Sequence, residues 1–354
     1  MSKLTKLRDG LKNAGIDAVI ILDELNQHYL SDFAFTDGLL LITMEHAELI
    51  TDFRYYEMAE NKASKEFHIV MPDDKHEYIA EILSEDSCKT VGFEGGSVSY
   101  DTYHRFCNRH VGVEFVNIGN MIEELRQIKT PEEIEKMQKA QNITDLAFSH
   151  IINVMTPNMT EIEVAAELEF VMRKNGASAV AFDTIAVSGD ASALPHGTPR
   201  NVKLRSGFLT MDYGAKYDGY CSDMTRTVVI GKATDEIKKL YNTVLTAQLA
   251  AIDYLREGAD CGEADKIARD IIDVDYKGTF GHSLGHSVGL FIHESPRLSK
   301  IAAGRKLRVG EILTVEPGIY LFGKYGCRIE DMVAIEKNGI YNFTHSTKEL
   351  IEIM

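Results

Sequence analysis

Residues 210–227 read TMDYGAKYDGYCSDMTRT. The β-branched and apolar residues at 207–213 and 224–230 mark two strands, and AKYDGYCS between them is rich in turn formers. Each strand carries one acid at its turn end, Asp212 closing the first and Asp223 opening the second. Opposed side chains on one face of an antiparallel pair stand about 4.5–5.5 Å apart. Two carboxylates at that separation are expected to repel unless cations lie between them. Taken alone, the pair reads more readily as a solvated hairpin with acids on its outer face.

The arrangement returns later in the chain. Glu316 in VEPGIY and Glu330 in RIEDM flank a second turn-rich connection, YLFGKYG. Between the two acidic hairpins lies GHSLGHSVGLFIHESP, residues 281–296, with His282, His286 and His293 among glycines and apolar residues. A single histidine in such company is usually a satisfied core residue. Three of them beside glycines, which permit close backbone approach, point to a crowded site. His196, in SALPHGT, follows a proline in a loop and is a fourth candidate. Asp212, Asp223, Glu316, Glu330 and one imidazole form a hard, oxygen-dominated donor set with more negative charge than one divalent ion requires. Such a set suits two cations sharing bridging carboxylates, with Mn2+, Co2+ or Zn2+ as the fitting occupants. A paired-metal site makes hydroxide near neutral pH and holds it against a carbonyl carbon, so hydrolytic chemistry is expected.

Composition narrows the class. The formal net charge of −16 excludes a nucleic-acid-binding surface, because phosphate contacts need a cationic footprint. With 44% hydrophobic and 26% charged residues among 354, the chain has ordinary globular proportions and length for two or three domains. The N-terminal MSKLTKLRDGLKNAG is amphipathic and charged, without the apolar core of a signal peptide, and no run is long enough to span a bilayer. Cys88, Cys107, Cys221, Cys261 and Cys327 are odd in number, scattered and without a C-x-x-C pair. Free thiols and a cytoplasmic location are expected.

Along the first third, strands alternate with helices. Helical spacing covers 4–13 and about 54–63, and short strands are expected at 17–22, 68–71, 90–93 and 113–116. A hairpin is expected from 38–43 and 47–51. This predicts an α/β domain with a mixed sheet. GFEGGS at 92–97 lacks the spacing of a phosphate-binding loop and reads as a turn. Thr130-Pro131-Glu132-Glu133 is a capping box with proline at the first helical position, so a long helix begins there. A second helix follows a cap near Thr160 and ends by Gly176. Further strands are expected at 182–188, 207–213 and 224–230, then helices at about 235–256 and 262–273, then mostly strand and turn. The chain divides into domains 1–125 and 126–354, with a linker at 126–130.

The motif order and wording resemble the pita-bread metallopeptidases, which include methionine aminopeptidase, Xaa-Pro aminopeptidase and Xaa-Pro dipeptidase. The resemblance runs through the whole chain. Residues 1–125, with NQHYLSDF and TDFRY, resemble the creatinase-like N-terminal α/β domain of the proline-directed members, and 126–354 resemble the α+β pita-bread catalytic domain. Ser283 departs from the pattern, since many relatives have glycine there. The resemblance implies two metal ions, Mn2+ first, with Asp212 on one, His286 and Glu316 on the other, and Asp223 and Glu330 bridging. It implies that a metal-bridging hydroxide attacks the scissile carbonyl, with His196 and His293 as donors to the reacting peptide and Glu316 as proton shuttle. Phe182, His282, Arg328 and Tyr320 are expected around the substrate, although Arg328 and Tyr320 equally fit support of the ligand carboxylates. Proline-containing peptides and a homodimer are the implied partners.

Within that superfamily, an N-terminal domain disfavours methionine aminopeptidase. Creatinase-like amidinohydrolases and non-catalytic binding proteins share the fold without the complete ligand set. A dipeptidase must recognise the free carboxylate after proline, and no further Arg or Lys motif in the catalytic half clearly supplies that group. The GFEGGSVSYDTYHRF segment also looks closer to the short bacterial aminopeptidase type. Xaa-Pro aminopeptidase is therefore the expectation, with Xaa-Pro dipeptidase as the alternative.

Overall fold

The computed structural model describes all 354 residues, which separate into two compact units, Met1–Arg126 and Gln127–Met354. Unit 1 is built on a six-stranded mixed sheet. Its elements are α1 (Lys3–Ala14), β1 (Ala18–Ile21), α2 (Glu24–Ser31), β2 (Gly38–Thr43), β3 (Ala47–Thr51), α3 (Phe53–Lys62), β4 (His68–Val70), α4 (Lys75–Glu85), β5 (Thr90–Phe93), α5 (Tyr100–Arg109), β6 (Glu114–Asn117) and α6 (Met121–Arg126). The sheet order is β4-β3-β2-β1-β5-β6. The β1–β2–β3 strands run antiparallel and the outer pairs are parallel. Ala18, Ile20, Leu39 and Leu41 pack with Ile79, Leu83 and Val91 in one apolar cluster.

Helix α2 is not among the sequence expectations, and the reason is chemical. Its buried residues include Asn26, Gln27, His28 and Ser31, so it lacks the apolar stripe that marks a packed helix. Polar partners hold it instead. Asn26 donates to Glu94 at 2.8 Å and accepts from Arg126 at 2.9 Å, and Gln27 donates to the Ile21 carbonyl at 3.1 Å. Of the GFEGGS segment, Gly92 and Phe93 close β5 and residues 95–97 form a turn.

Unit 2 opens with α7 (Pro131–Val154), and both reciprocal bonds of the Thr130–Glu133 capping box are made. The unit continues with α8 (Glu161–Lys174), β7 (Ala179–Val180), β8 (Ile185–Ser188), β9 (Gly207–Tyr213), β10 (Ala215–Tyr217), β11 (Tyr220–Cys221), β12 (Met224–Ile230), α9 (Asp235–Tyr254) and α10 (Cys261–Tyr276). It ends in β13 (Gly285–Ser287), β14 (Glu294–Leu298), β15 (Ile312–Val315), β16 (Gly318–Leu321), β17 (Tyr325–Arg328), β18 (Asp331–Glu336), β19 (Gly339–Asn342) and β20 (Glu352–Ile353). Thr160 caps α8 with a second capping box. The expected strand at 182–188 is shorter than its β-rich sequence suggests: residues 182–184 leave the ladder, and pairing with β9 begins at Ile185.

Two sheets frame the chemistry. One has the order β20-β12-β9-β8 and the other β14-β13-β15-β18-β19, with the β16–β17 hairpin as a separate pair. Leu240, Val244 and Ala247 of α9 and Ala264 and Ala268 of α10 bury against Leu313, Val315, Ile319 and Val333. Each fully buried large aliphatic side chain contributes about 1.5–3 kcal/mol, so this cluster fixes the strands that carry the acids. No helix is long and apolar enough to cross a membrane.

Candidate metal centre and cavity

The register of β9 and β12 sets the first two acids. Asp212 stands opposite Thr225, so Asp223, two residues earlier, lies diagonally across from Asp212 on the same face. This corrects the expectation of directly opposed carboxylates. Thr225 takes the opposed position, and its hydroxyl donates to Glu330 Oε2 at 2.7 Å while accepting from Arg328 Nε at 3.0 Å. The second acidic pair follows from β15 and β18, where Val315 faces Asp331. Glu316 and Glu330 are the residues just beyond that last pair, and β16–β17 folds out between them as a hairpin.

His286 sits on β13, where Gly285 allows the strand to lie against β15. A Cβ at Gly285 would stand 2.0 Å from the Thr314 carbonyl oxygen. Thr314 Oγ1 accepts from the His286 amide at 3.1 Å and donates to Glu316 Oε1 at 3.1 Å. The ring Nδ1 lies 3.2 Å from the Ser287 carbonyl, which can only accept, so Nδ1 carries the proton and Nε2 presents its lone pair. Nε2 faces Glu316 Oε1 at 3.3 Å and Asp223 Oδ2 at 3.7 Å. Burial pulls the imidazole down to about 3, which keeps it neutral. Its lone pair therefore faces the carboxyl oxygens of both acids.

Asp223, His286 and Glu330 offer ligand atoms within 4.8 Å of one another, all from buried residues. Glu316 adjoins this group through His286. Asp212 is turned to Arg328, whose Nη2 lies 2.6 Å from Oδ2, and its Oδ1 is buried without a partner. Burial first, and then the neighbouring carboxylates, drive Asp223 and Glu330 well above the usual carboxylate range. Glu316 is pushed up to about 8, chiefly by burial. Burial of clustered like charges is costly without a counter-charge. The donor set of carboxylate oxygens and one neutral imidazole fits divalent cations, and the orphaned Asp212 Oδ1 has lone pairs free to donate. The candidate cations are thus accommodated by the residues present.

Of the groups behind the candidate ligands, Arg328 and Tyr320 were read from the sequence, whereas Arg226, Asp265 and Arg269 were not. Arg226 is fully buried and donates to the Glu330 carbonyl at 2.5 Å, Asp331 Oδ1 at 2.8 Å, and the carbonyls of Ser346 and Thr347 at 2.8 and 3.0 Å. Arg328, also buried, reaches Tyr320 at 2.8 Å and the Pro195 carbonyl at 3.3 Å in addition to Asp212. From α10, Asp265 accepts from the Leu284 amide at 3.0 Å, and Arg269 donates to the carbonyls of Phe280 and His282. The segment that leads to His286 is pinned by these bonds.

A cavity of about 530 Å³ opens over the acids. Phe182, His196, Asp212, Asp223, His282, His286, His293, Glu316, Arg328 and Glu330 all line it. His293 stands edge-on to His286, with ring centroids 4.5 Å apart, and burial followed by the Arg297 and His196 charges lowers its pKa. His196 is exposed at the wall. One expectation needs correction. Tyr320 does not line the cavity: its hydroxyl accepts from Arg328 and meets His282 Nε2 at 2.9 Å, so it props other side chains. His282 lines the cavity with both ring nitrogens engaged, Nδ1 with the Ser283 carbonyl at 2.9 Å and Nε2 with Tyr320. It offers substrate a ring face, not a free donor. All five cysteines are free thiols, and none lines the cavity.

Arg297 is the addition. It lines the cavity, and the β13–β14 register places it directly opposite His286. It is exposed and makes no ion pair or side-chain hydrogen bond within the chain. Its charge reaches His286, His293 and Glu316.

The profile of metallopeptidase family M24 matches residues 135–337, and that of the creatinase/prolidase N-terminal domain matches residues 3–128. The chain is 39% identical over 352 residues to a Xaa-Pro dipeptidase of Pyrococcus furiosus, covering 99% of both sequences. Among solved structures, a Xaa-Pro dipeptidase from Bacillus anthracis superposes with a TM-score of 0.94 at 40% identity, covering 99% of each chain. An X-Pro aminopeptidase from Thermotoga maritima superposes with a TM-score of 0.92 at 35% identity, covering 98% of this chain and 100% of that one. A creatinase-like N-terminal domain joined to a pita-bread catalytic domain, with a buried cluster of acids and one histidine that could hold a metal, makes this chain a member of metallopeptidase family M24.

Proposed function

We propose that the chain is a Xaa-Pro dipeptidase that holds two divalent cations, Mn2+ first. Asp212 would serve one ion, His286 and Glu316 the other, and Asp223 and Glu330 both. When bound, the ions supply Lewis acidity toward a carbonyl oxygen and bring the pKa of a coordinated water near neutrality. The chain's own residues do the rest. His293 and His196 reach into the cavity as donors, one for the developing oxyanion and one toward the leaving nitrogen. Glu316 Oε2, the carboxylate oxygen farther from His286, is the atom we assign to carry a proton to that nitrogen. The nitrogen of an Xaa-Pro bond has no N–H, so selection falls on the pyrrolidine ring, against which Phe182 and Ile292 offer apolar wall. The odd set of free thiols suits the reducing cytoplasm, the compartment we propose.

Arg297 carries the choice of dipeptide over longer peptide. The other cationic group at the cavity, Arg328, is spent on Asp212, Tyr320 and Pro195, whereas Arg297 faces the cavity uncommitted. A guanidinium there matches the free carboxylate that follows proline in a dipeptide. This reading departs from the aminopeptidase expectation, which rested on finding no such group and on the likeness of the GFEGGSVSYDTYHRF segment to the short bacterial aminopeptidase type. The test is a panel of Xaa-Pro dipeptides and Xaa-Pro-Yaa tripeptides, assayed with each metal after chelation, for the natural chain and Arg297→Gln. Dipeptide cleavage with KM raised about tenfold or more in the variant is expected, as for loss of a charged hydrogen bond. Tripeptides cleaved as well as dipeptides, with Arg297→Gln leaving both unchanged, would instead establish an aminopeptidase.

A further inference from the structure

Between His286 and Glu294 the chain leaves the sheet in a loop, residues 288–293, that carries His293 and ends against the metal centre. Ser287 and Glu294 are paired across β13 and β14 at the base of this loop, with a β-bulge between His286 and Ser287. Lys129 is inserted at that base. Its Nζ donates to Ser287 Oγ at 3.1 Å and to Glu294 Oε2 at 3.3 Å. The Lys129 side chain is 1% exposed and that of Glu294 9%, so the bridge lies almost entirely out of water. Glu294 extends it into the loop by accepting from the Phe291 amide at 3.2 Å. Gly289 leaves room for this, since a Cβ there would stand 2.5 Å from the Glu294 carboxylate. The far side of the loop is tied by the Cys221 amide, which donates to the Gly289 carbonyl at 2.8 Å. Lys129 itself is fixed through its backbone, its amide donating to the Gly310 carbonyl at 3.0 Å.

We infer that Lys129 is a positioning residue, which closes the base of the 288–293 loop through Ser287 and Glu294 and so aims the His293 imidazole into the cavity. The inference rests on the proposed role of His293 as a donor to the reacting peptide. An imidazole in a loop has no strand ladder to hold it. A displacement of about 1 Å at such a group costs up to ~100-fold in turnover.

The test is a double-mutant cycle on the full-length, metal-loaded protein with an Xaa-Pro dipeptide. Lys129→Met is expected to lower kcat by about 10- to 100-fold with metal content unchanged, and Lys129→Arg to restore part of it. In a His293→Ala background Lys129→Met should cost nothing further, because the loop no longer carries the group it aims. Where the buried Glu294 charge unfolds the single variant, Lys129→Met with Glu294→Gln removes both charges and enters the same cycle. If His293→Ala is impaired but Lys129→Met costs the same factor in both backgrounds, Lys129 acts through general stability and the inference fails alone. If His293→Ala turns over like the natural chain, the assigned role of His293 fails and the positioning role falls with it.

Discussion

Arg328 Nη2 donates to Asp212 Oδ2 at 2.6 Å and leaves the second carboxylate oxygen of Asp212 buried and unpartnered. The guanidinium thus orients one acid of the centre while the free oxygen keeps its bonding capacity. Arg328 also binds Thr225, which in turn binds Glu330. Two candidate ligands, one on β9 and one between β17 and β18, are therefore referenced to one planar cation. Arg328→Lys retains the charge but loses the fork. We expect metal affinity to fall by about 10–100-fold, read by calorimetric titration of the chelated protein. Unchanged affinity would show that Asp212 needs no such guide.

Asp223 is buried among acids that repel it. Asp223→Asn should abolish activity and strip metal, because the amide is a weaker ligand to a doubly charged ion. In chelated protein the same change should raise the melting temperature, corresponding to about 1 kcal/mol, as when an active site stores destabilising charge. A lower melting temperature for the chelated variant would mean that the carboxylate has a structural partner we have not identified.

His293→Ala and His196→Ala should each lower kcat by about 10²–10³-fold, the scale for loss of a donor to a developing oxyanion. Metal content, measured by atomic spectroscopy, should stay normal. Loss of metal on either substitution would place that histidine among the ligands.

Unit 1 contains a pH-sensitive pair of its own. His46 Nδ1 meets Asp86 Oδ2 at 2.9 Å, and the Thr43 hydroxyl also donates to that carboxylate. The bond to Asp86 raises the His46 pKa above 6.5 against the effect of burial. Burial raises Asp86, but its bonds from Thr43 and His46 outweigh this and leave it below 3.8. The histidine's contribution is complete below its unfolded pKa and is lost as pH rises through the folded one. The aspartate's is complete above its unfolded pKa and is lost as pH falls through the folded one. The pair is therefore worth most at about pH 4–6.5. His46→Gln should destabilise by about 0.5–1 kcal/mol near pH 5.5 and by little at pH 8.5. Thermal melts across that range giving a constant difference would show that the pairing is not ionic.

Legibility in the sequence followed the physics of each element. Strands 207–213 and 224–230 were readable because their composition and the intervening turn formers coincide, and the Thr130 boundary because its capping box is local. Helix α2 was hidden because hydrogen bonds to Glu94 and the Ile21 carbonyl, not an apolar face, hold it. The acids and histidines of the centre stood out by local wording, whereas Arg297 did not. Its relation to His286 depends on a cross-strand register interrupted by a bulge, and register across a bulge has no signature in linear spacing. Thr225 and Thr314 were similarly silent, since a threonine in a strand reads as a strand former.

Arg226 sits beneath Glu330 and is bonded to the carbonyls of residues 346 and 347 as well as to Glu330 itself. Synthesis thus adds all five candidate ligand residues before it adds the last acceptors of the floor beneath them. Without residues 346 and 347 the Arg226 guanidinium would lack two of its acceptors.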